Sequence, residues 1–194
     1  GVNYIDTAYP YHQGESERIV GKALADGYRE KTYLATKCPV WKLQKAEDFE
    51  TLLDEQLEKL NTDHIDFYLL HALSGERMED KVKPFELIKR MEKAKAEGKI
   101  RYLGFSFHDS YDVFQDIIDY YDGWDFCQIQ YNYVDTEHQA GTKGLKYAAE
   151  RGLGVVIMEP LLGGRLANPA SHLKKVFPED KSPVEYALDF LWDQ

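Results

Sequence analysis

Cysteine is scarce: Cys38 and Cys127 stand alone in 194 residues, too few for a disulfide scaffold. Neither lies in a CxxC or Cys/His spacing that would hold zinc or an iron–sulfur cluster, so a reducing, cytoplasmic setting fits them best. No apolar run approaches the roughly 20 residues of a membrane-spanning helix. Positive charge is also in deficit, with 24 Lys and Arg against 34 Asp and Glu and a net charge of -10. That balance argues against nucleic acid or an anionic membrane surface as a main partner. It leaves room for an anionic cofactor, because backbone N–H groups at helix N-termini hold phosphates without help from net charge. Low-complexity segments are lacking, and no GxGxxG follows an apolar run, which counts against a Rossmann unit. The length suffices for one sizeable core and is too short for two ordinary domains.

What is present is a repeat. Six apolar, β-prone segments recur: 3–6, 32–37, 66–71, 102–106, 126–131 and 154–159. Between them run amphipathic stretches whose apolar residues fall three and four apart. Phe49, Leu52, Leu53, Leu57 and Leu60 mark one face, Phe85, Leu87, Ile88 and Met91 a second, and Val113, Phe114, Ile117 and Ile118 a third. Gly98 and Gly152 close helices as C-terminal caps, and Ser182-Pro183-Val184-Glu185 opens a last helix with a capping box and proline at its first position. Strands alternating with helices predict a parallel sheet covered by helices, and the near-regular repeat favours a (β/α)8 TIM barrel over an open doubly wound sheet. Six strands do not close such a barrel. The chain opens as if in mid-protein at Gly1-Val2-Asn3-Tyr4 and stops within a helix. The expectation is therefore one α/β domain over 1–194, an incomplete barrel lacking its first and last strands and carrying strands two to seven.

Polar residues stand at the ends of the first three apolar runs: Asp6, Lys37 and His71, with Tyr11 just beyond the first. Equivalent positions in successive strand–helix units converge at one end of a parallel barrel. A carbonyl accepts hydride readily only if its oxygen is protonated or hydrogen-bonded as charge develops, which calls for a weak acid. A phenol supplies the proton; a nearby ammonium lowers its pKa, and a carboxylate keeps the ammonium charged and oriented. Tyr11, Lys37 and Asp6 are those parts, and His71 can direct the substrate oxygen. No side chain delivers hydride, so a nicotinamide cofactor has to. The pattern predicts a carbonyl-reducing enzyme.

These blocks resemble the aldo-keto reductase family. Asp6-Thr7-Ala8-Tyr9-Pro10-Tyr11, followed by Gly14-Glu15-Ser16-Glu17 and Gly21-Lys22-Ala23-Leu24, is similar to its second-strand signature. Ala35-Thr36-Lys37 resembles its third-strand lysine motif, and Tyr68-Leu69-Leu70-His71 its fourth-strand histidine. Residues 100–106, Gln128-Ile129-Gln130-Tyr131-Asn132 and Glu159-Pro160-Leu161-Leu162-Gly163-Gly164 match later blocks in order. The resemblance implies a (β/α)8 barrel binding NADPH or NADH across its C-terminal face, with NADPH favoured by the family alone. It implies Tyr11 as acid, Lys37 and Asp6 as its tuning pair and His71 as substrate orienter. It also implies Ser106 and Gln128 at the nicotinamide carboxamide, and Leu161 and Gly163 in the loop near the pyrophosphate.

Two departures stand out. Phe107-His108 follows Ser106 where the family often has asparagine, and Met158 stands where many members stack an aromatic ring on the nicotinamide; a thioether can pack there instead. Tyr9, Trp41, His108 and Tyr133 are candidates to line the pocket of a small carbonyl substrate. Asp135, Glu137 and His138 read as polar loop residues opening a helix rather than a metal site. Glu76, Arg77, Glu79, Asp80, Lys81 and Lys83 read as a solvated charge run. Two other function classes fit less well. A cofactor-holding regulatory subunit of the same fold would not need all four chemical residues. A metal-dependent hydrolase built on His71 and Asp6 lacks a second histidine at ligand spacing. The iron–sulfur module that some similar reductases carry has no cysteines here.

Overall fold

The computed structural model describes residues 2–170, 177 and 181–194. In chain order they form β1 (Tyr4–Asp6), α1 (Ser16–Ala23), β2 (Tyr33–Cys38), α2 (Asp48–Leu60), β3 (Ile65–Leu73), α3 (Gly75–Arg77), α4 (Leu87–Ala96), β4 (Ile100–Phe107), α5 (Tyr111–Tyr120), β5 (Phe126–Gln130), α6 (Gly141–Glu150), β6 (Gly154–Met158) and α7 (Pro183–Trp192). All six strands belong to one sheet in the order β1-β2-β3-β4-β5-β6, and every neighbouring pair is parallel. Sequential order of this kind is that of a barrel wall, since a doubly wound sheet reverses direction partway. Among the described residues β1 and β6 do not pair with each other. The wall is an open arc, an incomplete (β/α)8 barrel.

The period of two along each strand separates two apolar layers. Ile5, Leu34, Cys38, Tyr68, Leu70, Leu103, Phe105, Phe107, Cys127 and Ile129 face outward into the main core, where they meet Phe49, Leu53 and Leu60 of α2, Leu87 and Met91 of α4, and Phe114 and Ile117 of α5. Ala35, Leu69 and Phe126 face the inside with Tyr4, Phe67 and Val156. Gly104 belongs to that inner layer: a Cβ there would lie 2.5 Å from the Phe126 ring, so only glycine leaves space for the aromatic. Two residues further along the same inner faces come Lys37, His71 and Gln128. Alternation alone therefore aims polar groups into the barrel at the C-terminal ends of its strands.

One helical detail differs from expectation. Phe85 stands outside α4, because Glu86 adopts φ 50° and the helix starts only at Leu87. Pro84 comes just before, and a preceding π-type turn spans Met78–Val82. The capping box at Ser182 forms as read, with the Ser182 hydroxyl accepting from Glu185 N and the Glu185 carboxylate accepting from Ser182 N. No helix among the described residues is long and apolar enough to cross a membrane.

Candidate active site

Lys37 is the last but one residue of β2, with its side chain only 1% exposed. Such a group is tolerated in the interior only when paired. Its ammonium donates to Asp6 Oδ1 at 2.5 Å and to the Thr7 carbonyl at 2.9 Å. Asp6 in turn accepts from Gln128 Nε2 at 3.1 Å, which draws β1 and β5 to the same point. The lysine Nζ also lies 5.1 Å from the centre of the Tyr11 ring. No hydrogen bond joins the ammonium to the phenol among the described residues.

Tyr11 stands in the loop after β1, on a tight turn that needs three successive left-handed residues: His12 (φ 50°), Gln13 (φ 59°) and Gly14 (φ 92°). Its N–H donates to the Ala8 carbonyl at 3.1 Å, and Thr7 Oγ1 meets Ser16 Oγ at 2.8 Å, tying the loop to the start of α1. The Tyr11 ring meets His71 edge-on, with centres 5.9 Å apart. Behind His71 lies Trp41, 5.1 Å between ring centres. His71 itself sits where the β3–β4 pairing shifts register between Leu70 and Leu73, next to Ala72 with φ 53°. A bulge of this kind re-aims a side chain. Ser106 Oγ braces it by accepting from Ala72 N at 2.7 Å.

The electrostatics depart from the sequence expectation in one respect. The Tyr11 pKa is raised, not lowered, first by burial and then by the Asp6 charge. Lys37 spends its charge on Asp6 and is itself pushed below its ordinary value by burial, with Asp6 pulling the other way. His71 falls to about 3, chiefly through burial and then through the positive charges of Lys37, His108 and Arg77. At neutral pH the phenol is therefore protonated and the imidazole neutral.

That imidazole has a consequence for stability. The unfolded chain binds a proton on His71 below about pH 6.5, whereas the folded chain does so only near 3. Stability from this residue is thus lost as pH falls from about 6.5 toward about 3. We expect the drop in urea midpoint between about pH 7 and about pH 4 to be smaller in His71→Gln than in the native protein. Equal drops in the two proteins would mean that His71 takes up its proton without unfolding.

A second layer, missed from sequence, braces Lys37 from outside the barrel. Glu17 of α1 is fully buried, and its Oε1 accepts from Thr36 Oγ1 at 2.7 Å and from Gln56 Nε2 at 2.5 Å. Gln56 also donates to the Lys37 carbonyl at 3.1 Å and accepts from the Tyr68 hydroxyl at 2.7 Å. Burial raises the Glu17 pKa. The one sequence signal was Gly21, a turn after Glu17: a Cβ there would lie 2.7 Å from the backbone of Lys59 and Leu60, so α1 must approach α2 closely.

The remaining candidates are placed as follows. Tyr9 is held between Lys42 and Lys59, 4.6 and 3.8 Å from its ring centre, and its hydroxyl donates to Glu55, toward α2 rather than toward His71. Tyr133 packs on Phe177 and Phe190. His108 follows β4 with its N–H on the Leu73 carbonyl at 3.3 Å. Met158 ends β6 opposite Gln130. Leu161 and Gly163 lie in consecutive turns after β6, where Glu159, Leu162, Gly163 and Gly164 all have positive φ. Asp135 accepts from Gln130 Nε2 at 3.2 Å, and no metal-ligating cluster occurs among the described residues.

The charge run needs correction. Arg77 is half-buried, with its guanidinium 5.0 Å from the Trp41 ring centre and bonded to the Ala72 carbonyl, and Lys81 donates to the Leu43 carbonyl at 2.8 Å. Arg77 ends α3 and Lys81 lies in the π-type turn Met78–Val82 that follows, and both side chains reach back to backbone carbonyls rather than only to solvent. A cavity of about 1220 Å³ opens at the opposite end of the strands beside Arg29, His64, Asp66 and Arg101. Asp66 there is already satisfied by Arg29 at 2.9 Å, Arg101 at 3.0 Å and Leu34 N at 2.9 Å, so its polar groups are structural.

The family model described as "Aldo/keto reductase family" matches residues 1–189. The chain belongs to the aldo/keto reductase family. It is 40% identical over 115 residues to methylglyoxal reductase YeaE of Escherichia coli (strain K12), covering 58% of this chain and 37% of that protein. It is 30% identical over 188 residues to the NADH-specific methylglyoxal reductase of the same organism, covering 86% and 54%. Among solved structures, an aldo/keto reductase from Klebsiella pneumoniae in complex with NADP and acetate superimposes with a TM-score of 0.78 at 27% identity, over 98% of this chain and 66% of that one. This aldo/keto reductase chain spans about half or less of the length of those two curated relatives.

Proposed function

We propose that this chain carries the catalytic end of an NAD(P)H-dependent reductase that converts aldehydes or ketones to alcohols, with Tyr11 as the general acid. The observation that carries the reading is the unbroken run of contacts Gln128–Asp6–Lys37–Tyr11–His71 at the C-terminal ends of the strands. NADP in the Klebsiella structure and NADH in the name of the E. coli relative support a nicotinamide cofactor.

The residues present fit that group. Among the described residues Gln128 Oε1 is a buried acceptor with no partner, and Ser106 Oγ accepts from Ala72 N with no acceptor taking its own O–H. One acceptor and one donor on neighbouring strands complement a carboxamide, and they would hold the nicotinamide end, with Met158 beside them. When bound, the cofactor supplies hydride to the carbonyl carbon. Tyr11 gives its proton to the carbonyl oxygen, and the Lys37 ammonium balances the phenolate left behind. His71 stays neutral and directs the oxygen by hydrogen bonding. Its Nδ1 has no partner among the described residues. Cys38 and Cys127 are buried free thiols with pKa values pushed up to about 12, inert groups that suit a cytoplasmic setting.

The test is to mix the full-length protein with NADPH or NADH and a simple aldehyde, and to follow both cofactor fluorescence and cofactor oxidation. Binding and turnover together are expected. Binding with no turnover of any carbonyl would instead make the chain a cofactor-holding subunit.

A further inference from the structure

We propose that Arg77 makes this site selective for carbonyl substrates that also carry a carboxylate. The inference rests on the reductase reading above and deepens it by naming a substrate class. Arg77 lies in the turn after β3, with its own N–H on Ser74 Oγ at 3.3 Å. Its guanidinium is fixed on two sides, by the Ala72 carbonyl next to His71 and by the face of Trp41, whose ring in turn meets His71. A guanidinium has five N–H donors. Among the described residues the Ala72 carbonyl is the one acceptor its side chain meets, and no carboxylate pairs with it. Asp109, which tethers the start of the same turn, is occupied by Gly75 N at 3.0 Å and Ser110 N at 2.7 Å.

A half-buried arginine without an acidic partner is costly unless something else meets its charge. Acids outnumber bases by 34 to 24 in this chain, and several cations elsewhere pair with them, as in Lys83–Glu79, Lys89–Glu86 and Lys99–Asp54. The stacked, pre-oriented fork is suited to bidentate binding of a carboxylate, with little entropy left to lose. Positive charge from Arg77 and Lys37 also reaches His71, where it opposes protonation. The carbonyl end of a substrate would lie at His71 and Tyr11 and its carboxylate at Arg77, past the Trp41 ring.

The test compares 4-carboxybenzaldehyde with the uncharged 4-formylbenzamide as substrates of the full-length protein, and measures benzoate against benzamide binding by calorimetry. We expect kcat/KM to favour the acid by roughly 10- to 100-fold, mostly through KM. Arg77→Gln should bring that ratio to about one and abolish benzoate binding, while Arg77→Lys, keeping the charge but not the fork, should retain part of both. Turnover of both aldehydes at equal kcat/KM, with benzoate binding unchanged in Arg77→Gln, overturns the assignment and leaves the reductase reading intact. Benzoate bound through Arg77 without turnover of either aldehyde has the opposite meaning: the anion site stands and the reductase reading falls.

Discussion

Replacing Tyr11 with phenylalanine is expected to lower kcat for a simple aldehyde by about 10²- to 10⁴-fold, the range associated with losing a positioned general acid. The ring stays, so its edge contact with His71 and its place beside the Lys37 ammonium stay as well. Cofactor binding should therefore change little, and the loss should appear in single-turnover rates. Two candidate acids stand in contact here, and their pKa directions separate them. Burial and the Asp6 charge keep the phenol protonated at neutral pH, whereas the imidazole, with a pKa of about 3, is neutral there and keeps only an N–H that hydrogen-bonds without being released. His71→Gln should accordingly cost less than Tyr11→Phe, and the activity left in Tyr11→Phe should show no inflection near the ordinary histidine pKa. A larger loss in His71→Gln than in Tyr11→Phe would assign the proton to the imidazole and overturn the mechanism.

The parts legible in the sequence were those set by local periodicity. All six strands fall within one or two residues of the apolar runs that predict them, because an inward- and outward-buried strand is a short run bounded by turn residues. Asp6, Lys37 and His71 stood out because a polar residue ending such a run has few other reasons to be there. What could not be read depends on residues distant in the chain. The Glu17–Gln56 brace joins two helices 39 positions apart, and each residue alone looks like an ordinary polar helix position. Arg77 was lost in a charge run because its contacts, the Ala72 carbonyl and the Trp41 ring, come from outside that run. Tyr9 and Tyr11, two residues apart, part company at the turn: one is gripped by Lys42 and Lys59, the other faces His71. The direction of the Tyr11 shift was missed for a different reason. The Lys37–Asp6 pair was legible, but not how far the phenol is buried, nor that the Asp6 charge reaches the phenol as well.

That pair supports an asymmetric expectation. Asp6→Asn leaves an ammonium, 1% exposed, without a counter-charge, and should cost about 3 kcal/mol, the low end for a broken buried pair because Asp6 is itself 29% exposed. Lys37→Met removes the group that is expensive to bury. Asp6 then keeps Gln128 and its access to water, so stability should change by no more than about 1 kcal/mol. Activity follows a different order. Without Lys37 nothing balances the phenolate that Tyr11 would leave, and turnover should fall by roughly 10²-fold or more, close to the effect of losing the phenol itself. Combining Asp6→Asn with Lys37→Met should restore most of the stability and none of the activity, since the stranded charge is gone but so is the field at Tyr11. Urea denaturation of the four proteins, read as a double-mutant cycle, measures the coupling directly. If Asp6→Asn proved as stable as the native protein while Lys37→Met unfolded readily, the ammonium would be held by the Thr7 carbonyl and by packing, and Asp6 would lose its part in tuning the acid.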